Sequence, residues 1–489
     1  MFGELEVNDY HIIKYSMLYE FFDYFSSIKL LGLPLAQCLS RLYLLPHLQP
    51  FVDENVKNFK LIEAFRKQHD FKSMGEINQK LLSFEKIAPV KLAKNKTSIL
   101  LADDYFLFAA DQLSEYDITL YGVHETEFPK PAPKKFQRCI FRNELLNISK
   151  QTVARHQTAL KKQVDAKLKQ RPNHFYFSTP AFQKWIGNAC ITIIKWTVIL
   201  DQLILKAKPA VIINPSEASI FGTILGLLSK KYQIPFVNMP LTTIGDLNFI
   251  PSRADYYFAW GKDQKEWFIK RLVPEEHVFD TGNVKFFYDR KDMAGSKETF
   301  MNDRKIPNQF LLVGYTTQPY LNTNEQVEQW ISSAANQTAM KIIVKKHRND
   351  KYDYPLLKKQ KNVLILEEGY PLYEFLHHID ILMTIASTTA FEGALLDKPL
   401  LILQPKMPYH YVLNHNRNVA YFSEKLAGET IKNEMDFLSA LNKINTDPGY
   451  LPVLKKRAGA FKQNTLVDPK TTPAAVKKKL AEIMNKHNG

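Results

Sequence analysis

The stretch DILMTIASTTAFEGALLDKPLLIL, residues 380–403, decides how this chain is read. An apolar run ends at Ala386, and three hydroxyl residues follow: Ser387, Thr388 and Thr389. A helix-like stretch comes next, and Asp397-Lys398-Pro399 leads into a second apolar run. A short apolar run bounded by turn residues reads as a strand buried on both faces, and strand–helix–strand is the unit of a parallel sheet. The strand is expected over 381–386 and the helix from about Thr388, with Ser387 as its N-cap.

The same grammar recurs on both sides. Before it stand QFLLVGYTTQP (309–319), MKIIVKKH (340–347) and NVLILEEG (362–369) as strands, with helices over 324–337 and 371–379. Further upstream, TSILLADDYF (97–106), DITLYGVHE (117–125), PAVIINPSEAS (209–219), IPFVNMP (234–240), ADYYFAWG (254–261) and HVFDTGN (277–283) repeat it. The expected fold is α/β, with two doubly wound, Rossmann-type domains. The expected division is a helical N-terminal extension over 1–95, a first domain over 96–290 and a polar linker over 291–308. A second domain then covers 309–440, and basic C-terminal helices 441–489.

Hydrophobic residues make up 45% of the 489 and aromatics 12%, enough for two cores and too much for a disordered chain. A net charge of +15 implies an anionic partner: nucleic acid, an acidic membrane surface or a phosphorylated substrate. The basic residues are dispersed and match no nucleic-acid-binding signature, so nucleic acid is not expected. Cys38, Cys139 and Cys190 form neither a disulfide framework nor a zinc spacing, which fits a reducing cytoplasm. The N-terminus is acidic where a signal peptide would be basic. The longest apolar stretch, 185–205, is interrupted by Asn188, Lys195 and Asp201 and reads as a buried core helix.

Ligands of doubly wound sheets sit at the carboxyl ends of the strands, where helix starts offer free N–H groups and partial positive charge. Ser387, Thr388 and Thr389 stand at such a junction; in isolation they make a helix cap, but they also suit a phosphate. Two further strands end alike, one in Thr316, Thr317 and Gln318, the other in Lys345, Lys346, His347 and Arg348. Three polar strand ends in one sheet favour a site for a nucleotide mono- or diphosphate. Glu392, four residues after Thr388 on the same helix face, is a candidate for ribose or sugar hydroxyls, or a solvated helix acid.

On these residues the chain resembles a GT-B glycosyltransferase of the bacterial surface-polysaccharide type, which implies two domains facing a cleft. Transferases of capsule and lipopolysaccharide that use CMP-activated acidic sugars carry Gln-Pro, His-Pro and Ser-Ser/Thr motifs in order; here Gln318-Pro319, His347-Arg348 and Ser387-Thr388 stand in that order. The teichoic-acid glycerophosphotransferases are similar across STTAFEGALLDKPLLIL, and the turn Thr281-Gly282-Asn283 resembles the close of the first half in these families. Two departures stand out. Arg348 replaces the proline, and MPLTTIG (239–245) lacks the His-Gly-Thr that glycerophosphotransferases carry after the corresponding strand. UDP-sugar 2-epimerases share the architecture, but their Gly-rich helix start has no counterpart at Ser387.

The resemblance implies transfer of a sugar from a nucleotide-activated donor, a CMP-linked acidic sugar first, to a growing surface glycan or lipid-linked acceptor. A CDP-glycerol-type phosphotransferase, an epimerase-like enzyme and a non-catalytic binding module are the alternatives. His347, Arg348, Ser387 and Thr388 would take the charge role a metal plays elsewhere. No Asp-x-Asp stands in the second half, so neither metal nor cofactor is expected. The general base is sought in the first half among Asp103, Asp104 and Glu217, the last of which could instead bind the acceptor, and each is also readable as a helix-start acid. The basic surface suits a peripheral site on the inner membrane face.

Overall fold

A computed structural model describes residues 1–170, 173–290, 295–334, 340–415 and 420–488. The chain divides into two units, residues 4–284 with 470–489, and residues 1–3 with 285–469.

The first unit is built on seven strands: β1 (Ser98–Ala102), β2 (Asp117–Gly122), β3 (Phe136–Ile140), β4 (Val211–Asn214), β5 (Phe236–Asn238), β6 (Tyr256–Ala259) and β7 (Val278–Asp280). All pairs are parallel, in the order β3-β2-β1-β4-β5-β6-β7, so the winding reverses between β1 and β4. The sequences SILLA and VIIN at that centre are buried at every position, as a sheet covered on both faces requires.

Residues 4–95 are part of this unit rather than an appendage. Helix α1 (Asp9–Tyr24) is buried continuously from Tyr10 to Leu18, including Lys14. Asn78 donates to the Arg271 carbonyl at 2.9 Å and accepts from the Ser252 N–H at 2.7 Å, sewing the N-terminal helices to the segments flanking β6. A helical pattern without strand alternation looks like an extension in sequence; the burial of α1 and the Asn78 bonds to the segments flanking β6 make it part of the unit.

Helix α2 (Lys150–Gln170) is charged and buries only Val153, Leu160 and Val164. Against it packs α3 (Pro180–Ala207), started by Pro180 and capped by Thr179, whose hydroxyl accepts from the Phe182 N–H at 3.2 Å. By length and composition α3 could cross a membrane; 56% of its most apolar window is buried in the protein. Helix α4 (Ile220–Tyr232) follows β4.

The second unit carries β8 (Leu311–Thr316), β9 (Met340–Lys345), β10 (Val363–Ile365), β11 (Ile381–Thr384), β12 (Leu400–Leu403) and β13 (Glu429–Ile431). The order is β10-β9-β8-β11-β12-β13, all parallel, with the reversal between β8 and β11. Its core joins Val313, Tyr315, Val344, Met383 and Leu401 of the strands to Trp330, Phe437 and Leu454 of the helices. The helices used below are α5 (Leu321–Ala334), α6 (Leu372–His378), α7 (Thr389–Leu395) and α8 (Tyr450–Thr465).

The stretch expected as a linker is partly structured. Residues 291–294 lie outside the described residues, but 297–303 form a helix whose Phe300 stacks on His378 at 4.5 Å. Lys297 pairs with Asp380 at 2.6 Å. The basic tail also divides, with α8 in the second unit and α9 (Thr472–Asn488) in the first. Gly282 has φ +91°, and a Cβ there would lie 2.1 Å from the Thr472 hydroxyl. That turn therefore takes glycine for two reasons, its backbone and the close approach of α9.

Candidate functional site

In the second unit the polar strand ends gather at the reversal between β8 and β11, where doubly wound sheets bind ligands. Register pairs Thr316 with Lys345, and the Thr316 and Thr384 hydroxyls meet at 2.9 Å.

Beyond that point the candidates take different roles. Thr317, 2% exposed, donates to Asp350 Oδ2 at 2.7 Å and accepts from the His347 N–H at 2.9 Å. Gln318 is 7% exposed, and its backbone is gripped at both ends by Asn324 of α5, N–H to Oδ1 at 3.1 Å and Nδ2 to the carbonyl at 2.6 Å. Thr317 and Gln318, expected as nucleotide contacts, are thus buried supports. A hydroxyl at a strand end satisfies a neighbouring loop before it can reach a ligand.

His347 and Arg348 are exposed at the end of β9. His347 Nδ1 accepts from the Asn349 N–H at 3.1 Å, so the neutral ring carries its proton on Nε2. Partial burial, then the Arg348 charge, pull the imidazole below its usual pKa; Asp350 opposes them, and Lys345 adds to them.

The hydroxyl turn after β11 starts the helix one residue later than expected. The cap position is Thr388, and the Ser387 hydroxyl accepts from the Thr389 N–H at 3.2 Å, a Ser turn leading into α7. Ser387 and Thr389 hydroxyls lie 2.9 Å apart. Ser387 and Thr388 are half-buried and Thr389 is buried, so the first two are the reachable pair. Beside this turn a cavity of about 300 Å³ is lined by Ile385, Ala386, Leu403, Gln404, Met407 and Phe422.

Glu392 lies one turn further along α7. Burial first, then the Asp289 charge, raise its carboxyl to about 7, against the pull of Lys285. It is an acid that keeps its proton to near neutrality, beside the Tyr373 ring, whose buried hydroxyl has no hydrogen-bond partner among the described residues.

In the first unit Asp103 and Asp104 end β1 as expected. Asp103 leans over Gly122 toward Arg138, 3.7 Å away; a Cβ at Gly122 would sit 2.1 Å from its Oδ2. Burial and the Asp104 charge raise Asp103 to about 6, with Arg138 opposing. Asp104 is exposed.

Glu217 does not fit the role of base. It is 1% exposed and accepts from the backbone N–H groups of Arg253 and of Ala254 (2.8 Å) and from Asn238 Nδ2 at 3.2 Å. It braces the turn after β4 against the segment entering β6. Burial raises it to about 7 despite the donors from Tyr257, Arg253 and Ala254.

Sequence reasoning missed Asn324 and Asp350. Both hold a recognised motif in place, Asp350 from the loop after β9 and Asn324 from the first turn of α5, and only their type, acid or amide close to a strand end, could have pointed to them. Among the described residues no group of three or more His, Cys, Asp or Glu is placed to hold a metal ion.

Residues 310–464 match the family model described as CDP-glycerol:poly(glycerophosphate) glycerophosphotransferase, from β8 through α8. No curated protein matches the sequence significantly. Among solved structures, the UDP-GlcNAc 2-epimerase of Methanocaldococcus jannaschii is similar at 13% identity and TM-score 0.49, over 78% of this chain and 99% of that one. The wall teichoic acid polymerase TagF is similar at 10% and 0.49, over 85% and 95%. A glycosyltransferase from Rickettsia africae ESF-5 is similar at 11% and 0.46, over 80% and 99%. Two doubly wound parallel units, the second matching a transferase family, define a transferase of the GT-B type.

Proposed function

We propose that this transferase uses a cytidine-nucleotide donor, delivers its group to a hydroxyl of a surface glycan or lipid-linked acceptor, and releases CMP. The observation that carries the reading is the glycerophosphotransferase match, which runs through both His347 and the Ser387 turn. With a CDP-linked polyol the acceptor oxygen attacks the distal phosphorus and the P–O bond to CMP breaks. With a CMP-linked acidic sugar it attacks the anomeric carbon and the C–O bond breaks. In both the acceptor loses a proton and the electron pair leaves on CMP.

The family match favours the CDP-linked polyol phosphate. The CMP-sugar is the second reading, supported by MPLTTIG after β5, which lacks the histidine the glycerophosphotransferase resemblance implies. In either case His347 Nε2–H, Arg348 and the N–H and hydroxyl groups of Ser387 and Thr388 meet the charge gathering on the leaving phosphate. Glu392 donates a hydrogen bond to a donor hydroxyl. Asp103 and Asp104 remain the proposed bases toward the acceptor. The net charge of +15 supports an anionic membrane surface as the place where a lipid-linked acceptor is met.

The test is CMP release from CDP-glycerol and from a CMP-linked acidic sugar, with melting temperature read on CMP addition. Release from one of them names the donor. Stabilisation by CMP without release from any donor moves the chain to the non-catalytic binding module, and no response to any cytidine nucleotide rejects the reading.

A further inference from the structure

The loop that follows β9 is closed around one acid that no sequence motif singled out. Asp350 is 6% exposed. Its Oδ2 accepts from the Thr317 hydroxyl and the Tyr354 hydroxyl, each at 2.7 Å, and its Oδ1 from the Tyr352 N–H at 2.9 Å. Its own N–H returns to the His347 carbonyl at 2.8 Å. Lys346 braces the same loop from outside, donating to the Tyr352 carbonyl at 2.7 Å.

The consequence runs through Thr317. Its single hydroxyl proton is committed to Asp350, which leaves a lone pair for the His347 N–H. His347 is then fixed by its N–H, by its carbonyl and, through Asn349, by its ring Nδ1. We propose that Asp350 is the positioning residue of His347: acting through Thr317, it fixes the backbone and ring so that Nε2–H is the donor presented to substrate. The value of that fixing for turnover rests on the transferase reading; the fixing itself does not.

Asparagine cannot replace this carboxylate. Three donors point at Asp350, and an amide offers them one acceptor atom while turning a donor toward the rest. Thr317→Val keeps the shape of its side chain and removes the hydroxyl from both ends of the relay.

The experiment is long-range ¹H–¹⁵N NMR on full-length, histidine-labelled protein at neutral pH, with His347 assigned by its disappearance in His347→Gln. Wild type is expected to show the Nε2–H tautomer. Asp350→Asn and Thr317→Val are expected to show an averaged tautomer signal, and Thr317→Ser to restore the wild-type one. With CDP-glycerol or the CMP-sugar as donor, kcat for CMP release should fall roughly tenfold or more in the two disruptive variants, with KM moved by about twofold at most. If Asp350→Asn does not fold, Thr317→Val decides. An undisturbed Nε2–H signal in the folded variants overturns the proposal, even if they lose turnover. A disturbed signal in a protein whose wild type releases no CMP upholds the positioning role and rejects only the transfer reading.

Discussion

Glu217→Gln separates a buried brace from a catalytic base. The carboxyl titrates ordinarily at 4.5 and is raised to about 7 in the folded chain, because burial outweighs its donors. Below pH 4.5 it is protonated in both states and contributes no pH dependence. Between 4.5 and about 7 the folded state holds a proton that the unfolded state has lost, so stability falls as pH rises; above about 7 it is level again. At about 1.4 kcal/mol for each pH unit, the interval amounts to roughly 3 kcal/mol. Glutamine stays neutral. Its oxygen can keep the Arg253 and Ala254 N–H groups, and its amide can donate to Asn238 Oδ1, which has no partner among the described residues, once that side chain turns over. Glu217→Gln should therefore match wild type near pH 4.5 and exceed it by roughly 3 kcal/mol above pH 7. Asp103 and Asp246, each raised to about 6, slope the same way in both proteins and cancel in the difference. Urea unfolding followed by tryptophan fluorescence reads the right unit, since Trp185, Trp196, Trp260 and Trp267 lie in the first and Trp330 in the second. A variant with the wild-type pH slope refutes the burial argument. A variant that folds but loses turnover by roughly 100-fold or more restores Glu217 as the base.

His347→Ala should lower CMP release by roughly 100-fold while leaving stability within about 0.5 kcal/mol, as the side chain is exposed; turnover within about twofold of wild type removes it from the site. Gly122→Ala sets a Cβ 2.1 Å from Asp103 Oδ2 and should cost about 1–3 kcal/mol, most of it relieved when Asp103→Ala is added. Equal losses in the single and double variants would mean that the backbone, not the carboxylate, sets the cost. On the proposal that His347, Arg348 and the start of α7 meet the leaving-group charge, CMP release should persist in EDTA; loss in EDTA recovered with Mg²⁺ would place a metal in the reaction.

What was legible in the sequence follows the physics of each signal. Strands such as SILLA, VIIN and LLIL are buried at every position and apolar at nearly all of them because helices cover both faces, so their type and parallel setting could be read directly. The direction of a strand-end side chain depends on what the next loop offers it, and that is non-local. Thr317 and Ser387 look alike in sequence, each a hydroxyl after a buried strand. Asp350, 33 residues from Thr317, draws the first inward, while the Thr389 N–H engages the second and leaves it half-buried. Glu217 and Asp104 also look alike, acids just past a strand. Asn238 on β5 and the Arg253 and Ala254 amides before β6 surround the one; the other stays in solvent. At each strand end the residue type was readable, but for Thr317 and Glu217 whether it faces ligand or protein was set by partners 21 to 37 residues away. Asp350 and Asn324 belong to the same rule from the other side: they are the partners, silent in sequence because they stand outside the motifs whose residues they hold.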